Sequence, residues 1–173
     1  MAPLGTTGYG SQVTATGPNI VVAGGNTTSA SNTADCYKGS SDVCANEHRI
    51  FDLVNQERAK VGLSPFTFSA KVSFVARAWS ASQASVGRIS HNGWPNSREN
   101  AYQQEFSIPF RTNAENVAMT SEGGSDLATQ LMTMWMNSKG HRDNILGPGA
   151  VLGVGLATDG QGWYATQIFG YEQ

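Results

Sequence analysis

The sequence has few charged residues and no long apolar run, and each absence excludes a class of protein. Its 11 basic and 13 acidic residues give a net charge of −2, which offers no basic surface for nucleic acid or an anionic membrane. No apolar run approaches the roughly 18 residues that cross a bilayer. The first residues, MAPLGTTGYGSQ, lack the basic and apolar regions of a secretory signal. If the protein is secreted, we expect this chain to be the mature form behind an added Met1.

Sequence patterns of nucleophilic or nucleotide chemistry are also missing. There is no Gly-x-Ser-x-Gly pattern, no Gly-rich phosphate loop and no cysteine with a plausible histidine partner. The stretch GVGLA lies inside a predicted strand, so it is not a nucleotide fingerprint.

Two cysteines lie close together, in the stretch DCYKGSSDVC. Cys36 and Cys44 can close a small disulfide loop, and an even count fits an oxidising compartment. Two free thiols are the alternative. The stretch NTT makes Asn26 a glycosylation sequon, which is consistent with secretion.

Composition divides the chain into an N-terminal arm and one folded domain. The first 34 residues are rich in Gly, Ser, Thr and Asn, and such a segment buries too little apolar surface to offset its ordering entropy. We therefore expect a flexible arm with a small disulfide loop over residues 1–45, followed by a single domain over residues 46–173.

Apolar periodicity and capping residues predict four helices followed by a β-hairpin. The helices are expected at about 46–62, 69–87, 97–105 and 125–140, and the strands at 151–157 and 162–170. Gly140 is expected to end the last helix, which places His141 in a loop. Helices early in the chain and antiparallel strands late in it indicate the α+β class.

Three short stretches carry polar side chains that could converge: SHNGW with His91, NAENVAM with Glu115 and KGHRDNIL with His141. Two imidazoles and one carboxylate are the minimal ligand set of an open zinc site. The spacing matches no metal signature, so the alternative is a solvated His91, a capping His141 and a Glu115 bonded to backbone. The third histidine, His48, is predicted on the surface of the first helix.

Aromatic residues recur every four positions between His91 and Glu115, at Tyr102, Phe106 and Phe110. Such a series is typical of a core. Because Pro109 breaks the helix before Phe110, a lip that contacts lipid is the alternative.

The stretches SHNGW, AENVA, MWMNSKGHRDNIL and LGVGLA…WYATQIFG occur in the order and spacing of the CAP superfamily. That superfamily includes cysteine-rich secretory proteins, venom antigen 5 and pathogenesis-related proteins. The resemblance covers about residues 46–173, and the form WMNSKGHRDNIL looks most like the short microbial members. It implies an α–β–α sandwich, with a small antiparallel sheet between helical layers and a central cleft.

The resemblance also implies a role for the three polar residues. His91, Glu115 and His141 match cleft positions that bind zinc or another divalent cation in some members. Many members have a second acidic residue where this chain has Ser138, so the four-residue constellation is incomplete. Ala114 stands where a glycine is common, which matters only if the backbone there needs a positive φ.

For function, the resemblance implies a secreted, monomeric binding module for small lipids such as sterols or fatty acids. Tyr102, Phe106 and Phe110 would flank the lipid groove, and a host or cell-wall component is a further expected partner. One alternative is a metal-dependent hydrolase or protease, in which zinc lowers the pKa of bound water to about 7. Another is a non-catalytic host-interaction or cell-surface signalling module. We favour a binding protein over an enzyme.

Overall fold

The computed structural model describes residues 36–121 and 126–173. Within them, five helices and four strands follow one another as α1 Ser41–Lys60, β1 Thr67–Phe68, α2 Ala70–Val86, α3 Asn96–Phe106, β2 Phe110–Thr120, α4 Leu127–Met136, α5 Lys139–Ile145, β3 Val151–Thr158 and β4 Trp163–Glu172. None of these helices is long and apolar enough to cross a membrane. The arm predicted over the first 34 residues, and the sequon at Asn26, lie outside the described residues.

The strands form one sheet in the order β1-β3-β4-β2. The hairpin β3–β4 is antiparallel, as predicted, and β2 also pairs antiparallel with β4. The two-residue β1 adds a short parallel pairing to β3. Apolar periodicity did not predict β2, whose register shifts between Thr112 and Ala114. Because β2 lies at the edge of the sheet, one side of its backbone is free to meet other segments.

Helices cover both faces of the sheet, which confirms the α–β–α sandwich. On one face, Ile50 of α1, Trp135 of α4 and Ile145 of α5 pack in one buried cluster with side chains of β3 and β4. On the other face, Val75 of α2 and Tyr102 of α3 belong to a second cluster. The sheet is therefore buried between two helical layers.

Two glycines of β3 let α2 pack directly against the strand. A Cβ atom at Gly153 would lie 2.5 Å from the carbonyl carbon of Val72, and one at Gly155 would overlap the backbone nitrogen of Arg77. No side chain fits at either position without moving α2. The glycines of LGVGLA thus have a packing role, which sets the position of the helix that precedes His91.

The predicted ends of α2 are confirmed. The side chain of Ser69 accepts a hydrogen bond from the Val72 amide at the start of the helix, and Gly87 ends it in the left-handed region at φ 69°. Asp126 caps α4 in the same way as Ser69 caps α2, because its carboxylate accepts from the Thr129 amide.

The predicted C-terminal end of α4 is wrong. α4 ends at Met136, just after its apolar stripe ends at Trp135, and Gly140 is not its C-cap. Ser138 is extended, at φ −102° and ψ 123°, and precedes the separate short helix α5. His141 therefore lies in the first turn of a helix, not in a loop.

The start of α1 also differs from the prediction. α1 begins at Ser41, five residues before the expected start, and carries Cys44. The disulfide between Cys36 and Cys44 is confirmed, with Cα atoms 5.9 Å apart. The carbonyl oxygen of Tyr37 accepts a hydrogen bond of 3.0 Å from Arg77 of α2. The disulfide loop is therefore packed against the folded domain.

Candidate functional site

The candidate site lies along the free edge of β2, where segments from both helical layers meet. Glu115 and Asn116 are neighbours on this strand, so their side chains point to opposite faces of the sheet. The backbone oxygen of Glu115 accepts a hydrogen bond of 3.4 Å from Asn144 of α5. The edge strand thus connects a His91 side, which includes α2 and α3, with a His141 side on α5.

On the first side, contacts to the preceding residue hold the backbone of His91. The Ser90 amide donates to the side chain of Gln83, and the Ser90 carbonyl accepts from the indole of Trp79, both at 3.0 Å. The His91 side chain is 50% exposed, and its Nδ1 lies 2.8 Å from Oε1 of Glu115. Most of Glu115 is buried, so the ring stands between a buried carboxylate and the solvent.

Arg98 of α3 completes this side of the site. Its Nε donates to Oε2 of Glu115 at 2.6 Å, and its Nη2 donates to Oε1 at 3.0 Å. The side chains of Arg98 and Glu115 are only 2% and 1% exposed, and the guanidinium stacks 3.6 Å from the Trp79 ring centre. Sequence reasoning missed Arg98, since nothing in the polar stretch NSRENAYQQ distinguishes it from a solvated arginine.

On the second side, three amide side chains position α5. Nδ2 of Asn116 donates to the backbone oxygen of His141 at 3.1 Å and to Oε1 of Gln167 at 2.9 Å. Asn144 donates to Oδ1 of Asn116 at 2.8 Å. Asn116 and Gln167 are fully buried, so this amide network sets where the first turn of α5 lies. The motif AENVA pointed to Glu115 but not to its neighbour.

Burial and the nearby His91 both affect the protonation of His141. Burial lowers the pKa of His141 below its usual value of 6.5, and the positive charge that His91 can carry lowers it further. His141 is therefore neutral at neutral pH, with one ring nitrogen free to accept.

Glu115 does not fit the role of a direct metal ligand in this arrangement. Both of its oxygens accept hydrogen bonds, from Arg98 and from His91. Across residues 36–121 and 126–173, no group of three or more His, Cys, Asp or Glu side chains is arranged to hold a metal ion. Ser138, where many members have a carboxylate, adds no charge. Metal binding at His91, Glu115 and His141 therefore stays a prediction.

The predicted lipid residues pack with one another. Tyr102 and Phe110 are buried and stack at 4.9 Å, while Phe106 is half-buried beside them. Neither Tyr102 nor Phe110 offers open surface, so lipid binding at these rings stays a prediction.

Two further residues had sequence-based expectations. His48 is half-buried on α1, where it stacks on Phe68 at 4.0 Å. Among the described residues other than glycine, a positive φ occurs at Lys38 and Ser107 and not at Ala114. The alanine that stands where glycine is common is therefore unstrained.

The model of the cysteine-rich secretory protein family, CAP, matches residues 51–169. Protein YkwD of Bacillus subtilis, which is described as uncharacterized, is 34% identical over 130 residues. That match covers 75% of this chain and 48% of YkwD, so the chain spans about half the length of this relative.

Solved structures with the same fold come from bacterial surface and extracellular proteins. An outer surface protein of Borrelia burgdorferi matches with a TM-score of 0.59 and 14% identity, over 75% of this chain and 94% of that one. An extracellular SCP-domain protein of Bacillus anthracis matches with a TM-score of 0.54 and 22% identity, over 73% and 41% of the two chains. The fold, the motifs and the family match agree, and this chain belongs to the cysteine-rich secretory protein (CAP) family.

Proposed function

We propose that this protein is an extracellular binding module that holds its ligand at His91 and His141. The observation that carries the proposal is the hydrogen bond between His91 and the buried Glu115. A carboxylate that accepts at Nδ1 leaves the lone pair of a neutral ring on Nε2. With the neutral His141 nearby, the cleft presents two imidazole nitrogens that can accept a proton donor or a cation.

A divalent cation such as zinc is the first candidate for this pair. His91 and His141 would supply two ligands, and Glu115 would orient the ring of His91 instead of binding the ion. Zinc sites in proteins generally use at least three side-chain ligands. Since the cleft would supply only two, we propose that water or a bound molecule supplies the remaining ligands. When bound, the ion would offer open positions to an acceptor atom of that molecule.

A sterol or fatty acid is the second candidate. Val86 and Ile89 are exposed at 64% and 38% and precede His91 closely in the chain. Apolar surface beside polar groups suits a lipid whose polar end reaches the imidazoles. The buried Tyr102 and Phe110 contribute no surface to this proposal.

The two alternative functions have less support. The hydrolase alternative would use Glu115 as ligand or general base, and the oxygens of Glu115 are already engaged by Arg98 and His91. A host-interaction or signalling surface would make no use of the two imidazoles. The similar structures described as an outer surface protein and an extracellular protein favour secretion. A partner at the cell wall or host surface is part of the proposal only.

Calorimetric titration of the native protein with zinc, at about pH 7.5 and about pH 5.5, tests the proposal. We expect binding at the higher pH and weaker binding at the lower one, because protons compete for the imidazoles. His91→Ala and His141→Ala should each abolish zinc binding. His48→Ala is the matched control, since it removes the third histidine, and it should bind zinc like the native protein.

A parallel titration with a soluble fatty acid and a sterol separates the candidates. Lipid binding that is lost in His141→Ala but needs no zinc would favour the second candidate. Equal zinc binding by the native protein and by both cleft variants, together with no lipid binding, would contradict the proposed function.

A further inference from the structure

Arg98 is 2% exposed, and most of its contacts are to groups that hold or face His91. Besides its two hydrogen bonds to Glu115, its Nη1 donates to the backbone oxygen of Asn92 at 2.9 Å and to Ser97 at 2.6 Å. Asn92 directly follows His91. One guanidinium therefore fixes the carboxylate that faces the ring and also the turn that carries the ring.

The bidentate contact determines what Glu115 can do. Arg98 donates to both oxygens of Glu115, and an ionised carboxylate paired in this way can only accept. Nδ1 of His91, at 2.8 Å from Oε1, must then be the donor. The neutral ring is thereby held in a single tautomer, with its lone pair on Nε2.

The same contact determines what Glu115 cannot do. A carboxylate whose oxygens face a guanidinium at 2.6 and 3.0 Å would have to break these bonds before it could bind a cation directly. Breaking them would leave the charge of Arg98 buried without a partner, which is unfavourable. The charge of Glu115 is therefore used within the protein.

We propose that Arg98 is a positioning residue that commits Glu115 to orienting His91 and thereby makes the cleft a two-imidazole site. The tautomer part of this inference stands without any ligand. The part that concerns zinc affinity rests on the function proposed above. Arg98 acts through Glu115 and His91 and does not itself touch the ligand.

The tautomer is measured by imidazole ¹⁵N NMR on the ligand-free protein at about pH 7.5. In the native protein, His91 should show a protonated Nδ1 and an unprotonated Nε2. In Arg98→Met, which keeps a long side chain over Trp79, Glu115 is no longer fixed by the guanidinium, so the ring of His91 should show mixed tautomers. Arg98→Lys keeps the charge but loses the bidentate contact, so it should lie between the two.

Arg77→Met is the matched control, because Arg77 forms the other buried ion pair, with Glu47. It should lower stability and leave the His91 tautomer unchanged. If Arg98→Met and Arg98→Lys both keep the native tautomer, or if Arg77→Met alters it as strongly as Arg98→Met does, Arg98 has only a structural role.

Zinc titration of the same variants then tests the consequence for binding. We expect Arg98→Met to bind zinc about 10- to 100-fold more weakly than the native protein, as for other residues that orient a ligand. Tighter binding would mean that the released Glu115 has become a ligand, and it would overturn the two-imidazole assignment. Absence of zinc binding in the native protein would contradict the proposed cation site, while the NMR result would still decide the role of Arg98.

Discussion

Two buried arginine–glutamate pairs of similar geometry have different roles in this protein. Arg98 contacts both oxygens of Glu115 on the His91 side of the cleft. Arg77 contacts both oxygens of Glu47 between α1 and α2, at 2.9 and 2.7 Å. Each glutamate side chain is 1% exposed. The pairs differ in the third group that each glutamate meets.

The third partner of Glu47 is the backbone amide of Leu156 on β3, at 3.0 Å. Arg77 in turn donates to the Tyr37 carbonyl within the disulfide loop. Burial raises the pKa of Glu47 to about 7, although Arg77 and the Leu156 amide oppose the shift. This pair therefore connects the disulfide loop, α1, α2 and the sheet, and we assign it a structural role.

The third partner of Glu115 is a half-exposed imidazole. An arginine–glutamate pair can thus either stabilise the fold or orient an imidazole ring, depending on the third group that the glutamate contacts. We expect the Glu47 pair to affect stability most, and the Glu115 pair to affect the cleft most.

Arg77→Met should have the largest effect on stability. Removing one member of a buried pair typically destabilises by about 3–5 kcal/mol, and the loss should be greater at about pH 8 than at about pH 5.5. Since the native pKa of Glu47 is raised from 4.5 to about 7, its protonated form adds stability below pH 4.5, and this is lost as pH rises through about 7. In Arg77→Met, the ionised form of Glu47 has lost its charged partner, whereas the neutral, protonated form needs none.

Urea denaturation of the native protein and Arg77→Met at both pH values measures this difference. A loss that does not grow with pH would show that Glu47 does not ionise in this range.

Removal of the disulfide should have the second-largest effect on stability. Its cysteines are 8 positions apart, and closing so short a loop is worth about 2–3 kcal/mol in the chain-entropy model. The double variant Cys36→Ser with Cys44→Ser should lose about that much stability in urea and keep its zinc affinity. A change in zinc affinity would mean that the Arg77 side of the fold also controls the cleft, which would end the distinction between the two pairs.

Arg98→Met should have the third-largest effect on stability, with a loss of about 1–3 kcal/mol in the free energy of unfolding. Although Arg98 is more buried than Arg77, Glu115 keeps its hydrogen bond to the half-exposed ring of His91, so the carboxylate is not left without a partner. The same urea experiment checks the order. A loss larger than that of Arg77→Met would show that the exposed ring provides no such compensation.

Local signals explain which parts of the fold could be predicted. The ends of α2 depend on Ser69 and Gly87, whose hydrogen bond and positive φ lie within one turn of the helix. The predicted hairpin rests on apolar strands next to each other in sequence. The break between α4 and α5 was not predicted, because the sequence does not distinguish Ser138 from a polar residue inside a helix. In the structure, its backbone is extended.

The candidate site could be predicted only in part. His91, Glu115 and His141 lie in recognisable motifs, but their partners do not. Arg98 reaches Glu115 from 17 residues away in sequence, and Gln167 reaches Asn116 from 51. Such contacts depend on how α3 and β4 pack against β2, and no periodicity in the sequence reports that packing. The motifs therefore predicted the residues of the cleft but not the chemistry assigned to each.

His141→Ala should have the smallest effect on stability, less than about 1 kcal/mol near pH 7.5, because a half-buried residue contributes little packing. Burial and the charge of His91 lower the pKa of the native His141 below 6.5. A lowered pKa means that the neutral ring adds stability above pH 6.5, and that this is lost as pH falls below 6.5 and the folded protein must accept a proton.

The native protein should therefore lose stability relative to His141→Ala between about pH 7.5 and about pH 5.5, as measured by urea denaturation at each pH. His48→Ala, which alters a histidine outside the cleft, controls for the general response to acid. If the difference between the native protein and His141→Ala stays constant over this range, neither burial nor the charge of His91 lowers the pKa of His141. The His141 side of the cleft would then be as independent of His91 as the Glu47 pair is predicted to be.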